Sequence, residues 1–115
     1  MESQVARFFE QWPEDQERVK ELAPEIIRGF GGLFQAVMKE GSLTVREKEL
    51  IALGIALAVR CVPCINLHVQ KCLNAGATAP QVMEAAGVAV MMQGGPSFTH
   101  VPEVVRALKH LEGSA

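Results

Sequence analysis

Two cysteines and a histidine carry the most chemistry in this sequence: Cys61-Val62-Pro63-Cys64, followed four residues later by His68. A thiol reacts as its thiolate, and an ordinary cysteine is only a few per cent ionised at neutral pH. Three neighbours favour the anion here. A helix beginning at Pro63 would turn its unpaired N–H groups toward Cys61 or Cys64. Arg60 adds a cation. His68, at i+4 from Cys64, shares its helix face and as a neutral imidazole can take the Cys64 proton. Cys61 is placed one turn earlier to close a disulfide with Cys64. The pattern is a dithiol/disulfide cycle with a built-in base.

Other readings of the same residues are weaker. Cys61, Cys64, His68 and Cys72 form a C-x2-C-x3-H-x3-C string of zinc-type ligands. On one helix, however, they make a stripe roughly 16 Å long, and a tetrahedral zinc needs all its ligand atoms about 2.0–2.3 Å from one point. No metal ligand is therefore assigned. Cys72, between Val69 and Leu73, reads as core. His110, late in the last helix, and His100, after a Gly-Gly-Pro break, read as surface or capping residues. Glu47 belongs to a helix cap. Glu49 is different: it borders the apolar run Leu50 to Val59 on the side of Ala52, Leu53 and Ala56. A carboxylate at the rim of a buried helix needs a partner or a function. Near His68 it would orient the imidazole and accept its proton, the third-group role beside an activated nucleophile.

The elements that must position these groups are helices. Val5, Phe8, Phe9 and Trp12 fall at i, i+3, i+4, i+7, with Pro13 ending this helix or starting the next. The spacing continues from Val19 to Val37, where Pro24 and the Gly29-Phe30-Gly31-Gly32 cluster predict a kink or break. Those glycines follow no strand and lack the Lys and Ser/Thr of a phosphate-binding loop. Thr44-Val45-Arg46-Glu47 is a capping box opening a third helix to about Arg60. Past its charged first turn that helix is apolar all round, the pattern of burial on most sides. The fourth runs from Pro63 to Asn74 or Ala75 and stops at Gly76. Thr78 and Gln81 repeat the box for a fifth helix ending at Gly94-Gly95-Pro96. Ser97 or Thr99 caps the last, whose stripe is Val101, Val104, Val105, Leu108 and Leu111. The fold class is all-α, a compact bundle of about six helices in one domain.

The 115 residues are 49% hydrophobic and 21% charged. So apolar a chain of this length has surface to bury in a subunit interface. A net charge of -2 offers no basic stripe to neutralise phosphates, against nucleic-acid binding. The longest apolar run is half of the roughly 20 residues of a membrane span. Met1 to Arg7 contains no apolar signal segment. A cytoplasmic protein is expected, and three cysteines without an export signal favour thiol chemistry over a structural disulfide framework.

Glu49, eleven residues, Cys61-x-x-Cys64, three residues and His68 together resemble the E-x11-C-x-x-C-x3-H signature of AhpD-like proteins in the carboxymuconolactone decarboxylase superfamily. The flanking text, Leu43 to Leu50, Asn66-Leu67-His68, Ala75 to Thr78 and Gly94-Gly95-Pro96, is similar too. The resemblance implies an all-α fold assembling as trimers or hexamers. It implies a thiol-dependent peroxidase or disulfide reductase that uses the Cys61–Cys64 disulfide and no other cofactor, with Glu49 and His68 relaying a proton from Cys64. Hydroperoxides or a partner's disulfide are the implied substrates and lipoyl-type dithiols the implied reductants. The expected roles are Cys64 as attacking thiolate, Cys61 as resolving thiol, His68 as base and Glu49 as its relay partner. A non-catalytic or zinc-binding interaction protein, or a decarboxylase or lactone enzyme of the same superfamily, is the alternative. By helical rise Glu49 lies about 16 Å from the turn at Arg60 and His68 about 11 Å, so a bend, a water or another subunit's Glu49 could be needed to join them.

Overall fold

The computed structural model describes residues 3–113; of the N-terminal segment read for a signal peptide, Met1 and Glu2 lie outside the described residues. The chain falls into two compact units, Met1–Glu40 and Gly41–Ala115. The described residues are helical with no strand, in seven segments: α1 (Gln4–Leu22), α2 (Pro24–Met38), α3 (Val45–Ala58), α4 (Val62–Asn74), α5 (Ala79–Gln93), the single turn α6 (Gly95–Phe98) and α7 (Val101–Leu111).

The first unit is a pair of helices whose boundary differs from the sequence expectation. Pro13 sits inside α1 instead of ending it. An interior proline deletes one intrahelical N–H and crowds the preceding turn, at about 3 kcal/mol. Trp12 stacks on Phe8 one turn back, ring centroids 5.5 Å apart, which offsets part of that cost. Ser3 caps the start, its Oγ accepting the Ala6 N–H at 3.0 Å. The break falls at Ala23 (φ -148°, ψ 71°), pushed out of helical geometry by the proline that follows it. Pro24 then opens α2, and the glycines at 29, 31 and 32 pass through it without a break.

The second unit is built around α3, which packs against α4 and α5, while α4 also packs on α7. Leu53 and Leu57 of α3, Ile65, Val69 and Cys72 of α4, Val82 of α5 and Val104 of α7 are fully buried together. Both expected capping boxes form. Thr44 Oγ1 accepts the Glu47 N–H and Glu47 Oε1 accepts the Thr44 N–H; Thr78 and Gln81 do the same. The Thr44 hydrogen bonds hold the Glu47 carboxyl below its ordinary 4.5. Helix α4 ends as read: Gly76 (φ +94°) allows the Ala77 N–H to reach back to the Cys72 carbonyl at 2.9 Å.

Two expectations about this unit are corrected. Helix α3 is buried on one side only: Ile51, Ile55 and Val59 are more than half exposed. An all-apolar sequence carries no polar residue to mark which side of a helix stays exposed. Neither Ser97 nor Thr99 caps α7. Ser97 is buried and its Oγ donates to the Leu57 carbonyl at 3.4 Å, while Thr99 Oγ1 donates to the Pro96 carbonyl. His100 takes the cap position without a side-chain cap bond, its Nδ1 bonded instead to the Pro96 carbonyl at 2.8 Å. The extra turn α6 uses both hydroxyls in binding the chain back onto itself.

Candidate active site

The site is assembled where α3 turns into α4. The end of α3 is closed by two backward hydrogen bonds, Cys61 N–H to the Ala56 carbonyl and Arg60 N–H to the Leu57 carbonyl, each 3.1 Å. This motif needs a left-handed residue, and Arg60 supplies it at φ +58°. Cys61 follows as the N-cap of α4, and its Sγ accepts the Cys64 N–H at 3.3 Å. Pro63 lies in the first turn, where a missing N–H is harmless.

Cys61 and Cys64 are joined in a disulfide, their Cα atoms 5.2 Å apart. Both cysteines are half-buried. One turn below Cys64 on the same helix face, His68 directs its Nδ1 to Glu49 Oε1 at 2.7 Å. The glutamate residue is only 4% exposed, and the imidazole is the hydrogen-bonding partner that such a burial requires. Where Glu49 is the accepting carboxylate, the ring donates from Nδ1 and carries its lone pair on Nε2. The structure thus places three of the expected residues along the N-cap and first two turns of α4 and the fourth on the facing side of α3, with Cys61 joined to Cys64 and Glu49 to His68. Glu49 and His68 touch within a single chain. Their unequal distances from the turn differ by about 5 Å along the helices, a gap that the two side chains and the close α3–α4 packing absorb.

The remaining candidates fall outside. Cys72 is a free thiol, fully buried beneath the site. Burial first, and the charge of Glu49 second, push it up to about 12. Among the described residues no group of three or more His, Cys, Asp or Glu side chains is placed to hold a metal ion. His110 is exposed in the last turn of α7. An open apolar groove of about 410 Å³ lies between α6 and α7, lined by Phe98, Val101, Pro102, Val105 and their neighbours, and includes none of the four residues.

One residue near the site had no role in the sequence reading. Asn66, two positions after Cys64, is 2% exposed with its Oδ1 unpartnered. Its signal was an amide lying between Ile65 and Val69 on the buried face of α4.

An all-helical unit with a disulfide at a helix head over a Glu–His pair defines a small thiol-bearing helical protein. The sequence profile of the carboxymuconolactone decarboxylase family matches residues 24–107, and the chain belongs to that family. It is 35% identical over 85 residues, 74% of this chain and 77% of the relative, to an uncharacterised protein of the cox locus in Paracoccus denitrificans. A carboxymuconolactone decarboxylase family protein of Legionella pneumophila superposes with a TM-score of 0.89 at 32% identity, over 96% of this chain and 98% of that one. A family member from Thermotoga maritima, for which a part in an antioxidative response has been suggested, gives a TM-score of 0.70 at 31% identity, over 75% of this chain and 89% of that one. Among the described residues no helix is long and apolar enough to cross a membrane.

Proposed function

We propose that the protein is a thiol-dependent oxidoreductase that reduces hydroperoxides, or the disulfide of a partner, through a Cys61–Cys64 dithiol. The observation that carries this reading is the Cys61–Cys64 disulfide at the head of the helix on which His68 is held by a buried Glu49 at 2.7 Å. In the reduced protein His68 Nε2 accepts the Cys64 proton, and the Glu49 carboxylate stabilises the imidazolium that forms. The Cys64 thiolate attacks the outer oxygen of the hydroperoxide; an S–O bond forms, the O–O bond breaks, and the alcohol leaves with the returned proton. Cys61 displaces water from the sulfenic acid and closes the disulfide. An external reductant, a lipoyl-type dithiol or two single thiols, then restores both thiols and is itself oxidised to a disulfide. The suggested antioxidative part of the Thermotoga maritima relative is in keeping with this cycle.

The protein is read as a cytoplasmic homo-oligomer, a trimer or hexamer. The exposed Ile51, Ile55 and Val59 on the outer side of α3 support assembly. The test is hydroperoxide reduction with dithiol donors by wild type, Cys61→Ser and Cys64→Ser. Turnover by the wild type, lost in both variants, is expected. Turnover that survives both substitutions would overturn the reading in favour of a cysteine-independent enzyme. No turnover in the wild type with any donor would remove the peroxidase branch, and failure to exchange with a disulfide would remove the other.

A further inference from the structure

Arg60 is the one non-glycine with a positive φ among the described residues. The same chain shows what the turn would ordinarily use. At the end of α4 the identical pair of backward hydrogen bonds is made around Gly76, because glycine enters the left-handed region without the clash a Cβ brings. At the end of α3 the position holds a long cationic residue. Backbone strain retained at a redox turn is grounds for a role in that turn.

The charge is as isolated as the conformation. Between Glu49 and Lys71 the sequence carries no Asp, Glu, Lys or Arg except Arg60. Its side chain is exposed and makes no ion pair or side-chain hydrogen bond with the described residues. Within the site itself, the only carboxylate is Glu49, buried and bound to His68. The residue directly before Cys61 of the disulfide thus carries an exposed guanidinium that no anion among the described residues takes up.

We infer that Arg60 is a specificity-determining residue that selects thiols carrying a carboxylate close to the reacting sulfur as reductants of the Cys61–Cys64 disulfide. The inference rests on the oxidoreductase reading above and names the class of its co-substrate. The incoming thiolate attacks one sulfur of the disulfide, a mixed disulfide forms, and the other cysteine leaves with the bonding electron pair and is protonated. A second thiolate displaces the protein sulfur, so two thiols become one external disulfide and the protein dithiol is regenerated. During the first step the guanidinium pairs with the carboxylate of the attacking molecule, a geometry it can meet with two parallel N–H donors.

The test measures how fast the oxidised full-length protein is reduced by 3-mercaptopropionate, neutral 2-mercaptoethanol and cationic cysteamine, each rate taken per thiolate, at low and high salt. The quantity read is the ratio of the carboxylate thiol to the neutral one. Arg60→Gly should lower that ratio about five-fold, the factor set by two unit charges about 4 Å apart in water. Arg60→Lys should keep most of it. Salt should lower the ratio in the wild type and leave it flat in Arg60→Gly. The glycine variant suits the turn, so its thermal midpoint should hold or rise. An unchanged ratio in Arg60→Gly, or an equal slowing by all three thiols, would overturn the inference while leaving the oxidoreductase reading standing. A folded disulfide that none of the thiols reduces, though all reduce it in the unfolded chain, would overturn both.

Discussion

Replacing Glu49 with glutamine separates what the buried carboxylate does for the fold from what it does for chemistry. The amide has the same shape, and its Oε1 can still accept the His68 Nδ1–H now held at 2.7 Å, so the ring keeps its place and its tautomer. Only the negative charge is lost. Two unit charges about 4 Å apart are worth ~4 kcal/mol at an effective dielectric of 20. The His68 side chain is 21% exposed, so water supplies part of that stabilisation. A remaining loss of about 1.4–2.8 kcal/mol in the transition state corresponds to a ten- to hundred-fold fall in rate. Stability should move by no more than ~1 kcal/mol, because a buried ion is exchanged for a neutral group that retains its acceptor. His68→Ala is the counterpart. It strands a carboxylate that is 4% exposed and should cost about 3–5 kcal/mol. Urea denaturation reads the stabilities, and hydroperoxide turnover with the alkylation rate of the reduced protein reads the chemistry. Glu49→Gln with turnover within two-fold of wild type would refute the relay and leave Glu49–His68 as a structural pair.

Cys72 should be silent in the folded protein. Alkylation of the reduced chain at pH 8 should modify two thiols, and the third only after unfolding. Because its folded value is raised from 9.0 to about 12, Cys72 contributes stability that is complete below about pH 9 and is lost as the pH climbs toward 12. Denaturation midpoints in Cys72→Ala should lack that decline, after correction for the methylene and sulfur removed from the core. Thr44→Ala should cost about 1 kcal/mol of stability through loss of the capping box, measured by urea titration. The depressed Glu47 carboxyl adds stability that is present above pH 4.5 and is lost as the pH falls through its lowered folded value, whereas the bond from the Glu47 N–H to Thr44 Oγ1 does not titrate, so part of the wild-type advantage should persist in acid. Ile55→Asp should dissociate the proposed oligomer, read by light scattering, with little change in monomer stability, since Ile55 is 59% exposed. A dissociated wild type would itself exclude the assembly reading.

The helix ends were the most legible part of the sequence. Thr44 with Glu47, Thr78 with Gln81, Pro63 and Gly76 each fix a boundary by local hydrogen bonding or by φ, and local physics needs no tertiary context. Pro13 was misleading because the stack of Trp12 on Phe8 is a contribution that propensity does not contain. The turn α6 escaped for a related reason: its four residues are held by Ser97 reaching the Leu57 carbonyl, forty residues back. At the site, the spacing of Cys61, Cys64 and His68 shows on one helix and was readable. The Glu49–His68 contact joins two helices, and counting rise along straight rods does not predict a crossing at which side chains of unequal offset meet. The strain at Arg60 was not readable at all, because nothing in the residue type announces a positive φ.

Helix α3 shows how one apolar segment can serve two purposes without conflict. Taking 3.6 residues per turn, Glu49, Leu53, Ala56 and Leu57 share one side, and these are its buried residues. Ile51, Ile55 and Val59 lie on the opposite side and are exposed. The inner side sets the depth at which the carboxylate meets His68; the outer side carries the exposed residues on which the proposed assembly rests. A helix with polar residues outside would have been more legible as amphipathic, but it would have offered no apolar surface to a partner. The absence of amphipathic contrast in α3, which obscured its orientation in the sequence, therefore leaves the same helix holding Glu49 on one side and exposing an apolar surface on the other.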